Sequence, residues 1–424
     1  MRQPSVGRRH DRLRLTTRGR AFLIVGACLM GAGLLLGYGD VTRIGALVLT
    51  LPLIAWALSA SHATHLQLRR KITPTLLGPG DPATVRAVFR NNAGRASRLG
   101  SAQDRVDPGF GDRPRYTLTS IPTRGTATIE YTVRSQARGR HTIGPSIVTH
   151  PDPFGMCTSL TILPASDEIV VLPHTFPLER RSMPYATGGA SAAGHSVALH
   201  GEQDVSIRGY VEGDELRRIH WPATAHRGQL MVRHEDQPEH RRALLWFDAR
   251  GSAHADTGRS SSFEWTVSAV ASIALLLDDL HYQLRMVSAA TTAEHRLPSL
   301  LNAQQVVHSL ALANTTDDGR HADLSAAAAQ AVAAGSVLVG LFTDHPDPAL
   351  PMLAATSGRG RTSLAIIVDT DAYRTGSVAP GVAAERTSAV LRAAGWRTAI
   401  AGPDTGIPAA WHAIAGPHAA GGIR

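Results

Sequence analysis

The chain has 424 residues, 43% of them apolar and 18% charged, which fits a folded protein of two or more soluble units with room for a membrane segment. Its net charge of +9 is carried almost wholly by arginine; Lys71 is the only lysine, which excludes a Walker-type phosphate loop and leaves no lysine for Schiff-base chemistry. Any ATP hydrolysis linked to the chain is then a partner's. Cys28 lies in an apolar run and Cys157 in a soluble stretch, a usage that suits a reduced compartment without a disulfide.

Residues 1–20 carry Arg2, Arg8, Arg9, Arg12, Arg14, Arg18 and Arg20 and are predicted to be a basic cytoplasmic tail. Two uncharged runs follow, at about 21–38 and 44–60, separated by Gly39–Arg43. Each approaches the ~20 residues that cross a hydrocarbon core, so residues 21–60 read as a transmembrane hairpin. A cleaved signal peptide would not be followed at once by a second apolar run. Arg69, Arg70 and Lys71 after the second run place both flanks on the cytoplasmic side. Membrane lipid is thus an expected partner. Gly33 and Gly37 supply a small-xxx-small spacing, and Pro52 is tolerable within a lipid-embedded helix.

Across 64–175 short segments such as Ala83–Phe89 and Thr126–Val133 alternate apolar and polar residues between Gly, Pro and Asn turns. That period predicts antiparallel strands, and their number and spacing suit an immunoglobulin-like sandwich. Residues 176–200 read as a linker rich in Gly, Ala and Ser. Gly194–Ala198 within it resembles a serine-hydrolase elbow without the strand such an elbow needs.

Residues 201–424 end in alternating strands and helices: strand at Ala243–Asp248, helix at Ser262–Leu280 capped by Ser262, strand at Tyr282–Ala289, helix at Ala322–Ala334, strands at Ser336–Thr343 and Ser363–Asp369, helix at Ala383–Ala394 and strand at Arg397–Ala401. That order predicts a Rossmann-like parallel sheet with its ligand site at the carboxyl ends of the strands. No helix or aromatic array suited to reading bases is evident, so nucleic acid is not an expected partner.

Between linker and sheet runs Arg208-Gly209-Tyr210-Val211-Glu212-Gly213-Asp214-Glu215-Leu216-Arg217-Arg218-Ile219-His220-Trp221. It resembles the hallmark of the bacterial domain of unknown function 58 family, matching at Arg208, Tyr210, Gly213, Asp214, Arg218, Ile219 and Trp221. Upstream, Arg138–Pro145 and Asp152–Met156 resemble the family's strand-and-turn signature. The resemblance implies a von Willebrand factor A-like carboxyl domain. It further implies an adaptor or assembly role beside a MoxR-type AAA+ ATPase and a transglutaminase-like membrane protein, in the bacterial inner membrane.

Such A-like domains often hold Mg²⁺ through Asp-x-Ser-x-Ser and a later aspartate, since carboxylates and hydroxyls are hard oxygen ligands. Here the loop reads Asp248-Ala249-Arg250-Gly251-Ser252, with Asp344 as the later acid. Asp248, Ser252 and Asp344 therefore form a degraded cation site, in which Arg250 replaces the first hydroxyl. Trp221 and Ile219 are expected to pack, whereas Arg208, Arg217 and Arg218 can pair with nearby acids or form an interaction surface. Histidines crowd residues 195–254 without the His-Glu-x-x-His spacing of a zinc hydrolase. The expectation is a non-enzymatic adaptor; a cation-dependent receptor and an enzyme acting on envelope precursors are the alternatives.

Overall fold

The computed structural model describes residues 10–60, 65–111, 113–180, 205–210, 219–235, 241–255, 261–288, 299–332, 336–358 and 361–416. It divides into two compact units, Met1–His174 with Leu310–Leu312, and Thr175–Ser309 with Ala313–Arg424.

In the first unit the expected tail is partly a strand: β1 (His10–Leu15) pairs antiparallel with β9 (Cys157–Leu163). The His-Asp-Arg-Leu-Arg-Leu alternation has the two-residue period of a strand, which a reading for charge alone overlooks. Thr16 then caps α1 (Thr17–Leu36), its hydroxyl accepting from the Gly19 amide at 3.2 Å. α2 (Gly39–Ala60) follows after only Gly37 and Tyr38, so the connection expected at 39–43 is helical. Among the described residues these are the two helices long and apolar enough to cross a membrane.

The two helices meet along a heptad of small residues rather than the Gly33/Gly37 pair. Gly26 and Gly33 of α1 face Leu49 and Thr42 of α2, and Gly45 faces Met30; a Cβ on any of the three would lie 2.5–2.9 Å from its neighbour. Gly37 instead ends α1 at φ 76°, a left-handed cap that glycine adopts freely. Gly26→Leu is therefore expected to cost about 1–3 kcal/mol of hairpin stability by overpacking. Gly31→Leu, where a Cβ meets nothing within 4 Å, should cost far less. Thermal loss of helical signal from the full chain in micelles compares the two.

The rest of this unit is two facing sheets. β2 (Leu66–Thr73), β4 (Pro82–Asn91) and β7 (Thr126–Arg134) form one antiparallel sheet. The other contains β1, β9, β8 (Gly139–Pro151), β10 (Asp167–Val171) and β3 (Leu76–Leu77), with β5 (Gly100–Val106) on β8 and β6 (Arg115–Leu118) on β5. Inward residues such as Leu66, Ile72, Val85, Phe89, Leu118 and Ile143 fill the space between them. Arg70 also points inward from β2, and the basic cluster that bore on topology loses it. Its side chain is wholly buried on Asp104 of β5, Nη2 donating at 2.7 Å. Tyr131 and Ser146 also donate to that carboxylate, and Arg70 Nη1 donates to the Ala165 carbonyl at 2.7 Å.

In the second unit β11 (Val205–Gly209) and β12 (Met231–Glu235) form a ribbon beside α3 (Trp221–Arg227). The main sheet has the order β15–β14–β13–β16–β17–β18. Its strands are β13 (Arg242–Phe247), β14 (Gln283–Val287), β15 (Leu300–Leu301), β16 (Val337–Thr343), β17 (Thr362–Val368) and β18 (Arg397–Ala401). All neighbours are parallel except β15 on β14, giving the doubly wound order in which the chain reverses direction between β13 and β16. β13, β16 and β17 are apolar almost throughout because both faces are covered.

α4 (Ser262–Asp279) and α10 (Ile407–Ala415) lie on one face. On the other, residues of α6 (Asp318–Ala331), α7 (Leu350–Ala354) and α9 (Val382–Ala393) pack around Trp246, Phe342 and Trp396. α5 (Ala303–Ala311) and α8 (Thr370–Thr375) complete the unit. The cap of α4 is Ser261, accepting from the Glu264 amide at 3.2 Å, in place of the expected Ser262. Ser262 is instead buried against His254 and Ala255.

Candidate functional site

Each of the three central parallel strands ends in an acid, Asp248 after β13, Asp344 after β16 and Asp369 after β17, and their carboxylates have different fates. Asp369 caps α8, accepting from the Ala372 amide at 3.0 Å, and reaches the Gly381 amide at 2.7 Å. Asp344 accepts from the Thr370 amide and hydroxyl and from the Asp371 amide at 3.1 Å. Both are spent on backbone at the start of a helix, where negative charge is favoured.

Asp248, 1% exposed, is different. Arg250 folds back two residues to meet it: Nη2 lies 2.6 Å from Oδ2, and Nε lies 3.0 Å from Oδ1. This bidentate fork supplies the positive charge that a buried carboxylate requires. The guanidinium also donates to the Pro346 carbonyl at 2.7 Å, and Thr343 donates its hydroxyl to Asp248 at 2.7 Å. From α6, His321 presents Nδ1 at 3.5 Å to Asp248 and Nε2 at 2.9 Å to Asp347, which follows β16. His254 closes the cluster from the loop before α4. Its Nε2 lies 2.8 Å from the Asp248 carbonyl, which can only accept, so Nδ1 accepts from Ser262 at 2.9 Å.

The expected trio of Asp248, Ser252 and Asp344 is thus not assembled. Ser252 turns to Asp318 at 2.8 Å, and Asp344 is occupied by backbone. Thr343, His321 and Asp347 join Asp248 in their place. Ligand atoms of Asp248, His321 and Asp347 fall within 4.8 Å of one another, close enough to surround an ion. The guanidinium fits that role already, and a Mg²⁺ site of the hydroxyl-rich kind does not fit these residues. The signal in the sequence was Arg250 itself; His321 and Asp347 come from a helix and a loop far along the chain, with no local pattern to mark them.

Burial alone would raise the Asp248 carboxyl, but the hydrogen bonds and charge of Arg250, with His321 and Thr343, hold it below the usual carboxylate range. Asp347 is lowered likewise, its burial more than offset by His321 and the Ala349 amide. Burial pushes His254 down. The signs agree. An unfolded His254 takes a proton below about pH 6.5 that the folded one refuses, and the acids lose their stabilising charge below about pH 4. Stability of this unit is therefore expected to fall steadily as pH drops from 7 toward 3, as urea midpoints followed by tryptophan fluorescence would show.

Of the signature residues that are described, Arg208 lies on the ribbon, and Tyr210, Ile219 and Trp221 lie beside it. Arg208 pairs with Val232, the amide of half-buried Tyr210 donates to the Leu230 carbonyl at 2.8 Å, and Ile219 bridges the same Val232. Gly213, Asp214, Arg217 and Arg218 lie outside the described residues, as does the Gly194–Ala198 elbow. His220 caps α3, its Nδ1 accepting from the Ala223 amide at 3.2 Å. Trp221, expected to pack, is 66% exposed on the first turn of that helix. Its neighbour Pro222 is exposed as well, so this turn offers the indole no apolar face to bury against.

Ribbon, doubly wound sheet and arginine-paired acid cluster together define an α/β unit in which a signature segment precedes the first strand of the sheet. The model of the family described as Protein of unknown function DUF58 matches residues 206–370 of this chain, from β11 to the start of α8. No curated protein matches it. Among solved structures it is similar to a CARDB domain from Pyrococcus furiosus in complex with di-metal ions, at 14% identity over 26% of this chain and 88% of that one, TM-score 0.20. It is also similar to the alkylpurine DNA glycosylase AlkC of Pseudomonas fluorescens, at 15% identity over 31% and 39%, TM-score 0.19. The sporulation control protein Spo0M of Bacillus subtilis matches at 13% identity over 25% and 49%, TM-score 0.15.

Proposed function

We propose that this chain is a non-enzymatic adaptor or assembly factor anchored in the bacterial inner membrane by the α1–α2 hairpin, with both soluble units cytoplasmic, and that it works with a MoxR-type AAA+ ATPase and a transglutaminase-like membrane protein. In this reading the first unit is an immunoglobulin-like spacer and the second a von Willebrand factor A-like domain. The antiparallel edge strand β15 beside an otherwise parallel sheet suits the latter. The arginines before α1 suit the orientation.

The observation that carries the non-catalytic reading is the Arg250–Asp248 pair at the point where the chain reverses across the sheet. That is where doubly wound folds take their ligands, yet Asp248, Asp344 and Asp369 are each already held by groups of this chain. A cation-dependent receptor or a hydrolase would need one of them open. Exposed Trp221 on α3 and Leu230 just before β12 are better suited to contact a protein partner.

A photoreactive residue at position 221, activated in membranes with ATP present, is expected to capture an AAA+ ATPase. Irradiation that captures no such ATPase in the ATP-bound state would count against the adaptor reading.

A further inference from the structure

One end of the β-sandwich is fastened to the α1–α2 hairpin. Strand directions bring three loops to this end: residues 92–99, 119–125 and 152–156, beside the first turn of α1 and the last turn of α2. The attachment is close. The Thr16 amide donates to the Met156 carbonyl at 2.9 Å, the Thr16 hydroxyl donates to the Gly155 carbonyl at 2.7 Å, and Arg98 Nη2 reaches the Leu58 carbonyl at 3.3 Å. A Cβ on Gly19 would collide with the Met156 carbonyl oxygen, so the loop abuts the helix where its charged turn gives way to the apolar run.

Two residues of chain span at most about 7 Å, so Phe154 is held at the level of Arg18 and Arg20, the last charges before Ala21. Phe154 is 50% exposed there and Leu99 61% exposed. Arg95 and Arg124 are exposed on the neighbouring loops. The one acid in the three loops, Asp152, is buried, and its oxygens cap the Phe154 and Cys157 amides at 3.0 and 2.7 Å. The opposite end of the sandwich differs, with Asp81, Asp107 and Asp167 among its loops and strand starts. One end is thus basic and aromatic-tipped without an exposed carboxylate, and it is the end fastened to the hairpin.

We infer that this crown, with Arg95 and Arg124 on anionic headgroups and Phe154 and Leu99 in the interfacial layer, binds the bilayer that the hairpin spans. The sandwich then stands on the membrane rather than swinging from a tether. Basic residues near an anionic surface are attracted within a Debye length, and aromatic rings settle at headgroup depth. The inference rests on the anchored reading of α1 and α2.

The test uses the full chain in vesicles, with Cys28→Ser and Cys157→Ala as background and a fluorophore on single cysteines. Probes at Leu99→Cys and Phe154→Cys should be quenched by headgroup spin labels about twofold or more strongly in vesicles with roughly 30 mol% phosphatidylglycerol than in phosphatidylcholine alone. R95Q with R124Q should abolish that difference, and a probe at Arg113→Cys on the far end should show none. Equal weak quenching at 99, 154 and 113, with a Val25→Cys probe in α1 quenched by chain-labelled lipid, would overturn the crown contact and leave the anchor standing. The same result follows if 99 and 154 respond identically in both lipids. An unquenched probe at position 25 would overturn the anchor, and this inference with it.

Discussion

Arg70→Met is expected to destabilise the sandwich by about 3–5 kcal/mol, because it leaves the Asp104 carboxylate buried without its counter-charge. Both side chains of the pair are fully buried. Burial by itself would raise Asp104, yet the hydrogen bonds and charge of Arg70, with Ser146 and Tyr131, hold it below the usual range. The neighbouring Tyr131 and Tyr116 phenols are pushed up, first by burial and then by the carboxylate they face. Adding Asp104→Leu to Arg70→Met should recover only part of the loss, since Tyr131 and Ser146 would then be short of an acceptor. Hydrogen exchange of peptides spanning β2 and β5 in the full chain measures this locally. Unchanged protection in Arg70→Met would show that the pair contributes little.

Arg250→Ala should be comparably damaging to the α/β unit, by about 3–5 kcal/mol, since Asp248 would lose its cationic partner and keep the backbone amide of residue 250, Thr343 and His321. The loss should be greatest near neutral pH and smaller near pH 4, where protonation of the carboxylate relieves the uncompensated charge. Urea unfolding followed by the fluorescence of Trp246, Trp265, Trp396 and Trp411 reports on this unit. Arg250→Lys should rescue only partly, because an ammonium cannot bridge both Asp248 oxygens and the Pro346 carbonyl in one plane.

Much of this architecture was legible in the chain. The strands at 243–248, 336–343, 363–369 and 397–401 lie within a residue of their places because uninterrupted apolar runs between alanine-rich helices leave few alternatives. Two features were misread because charge drew attention from period. Arg12 and Arg14 belong to a basic run, and their alternation with Leu13 and Leu15 also builds β1. Arg70 looked like part of a juxtamembrane cluster, although Leu66, Leu68 and Ile72 set an inward phase that includes it; its partner Asp104 is on a different strand. Short elements such as β15 and α8 carry too little pattern to announce themselves.

The acid cluster was half legible. Asp248 and Asp344 were placed at strand ends by the apolar runs before them, and Arg250 marked the loss of a hydroxyl ligand. Which acid Arg250 would meet, and that His321 and Asp347 would complete the group, depends on how α6 packs against β13 and β14. Periodicity along one segment contains no such information. The fate of Asp344 was hidden for the same reason, since its partners Thr370 and Asp371 open α8 beyond the next strand.

The claim that Arg250 serves as the resident cation of this sheet is tested most directly by calorimetric titration of the full chain with Mn²⁺. The native protein should give no saturable heat, whereas Arg250→Ser, which restores a hydroxyl and exposes Asp248 beside His321 and Asp347, should bind about one ion. Saturable one-to-one binding by the native chain that disappears in Asp248→Asn would contradict the account.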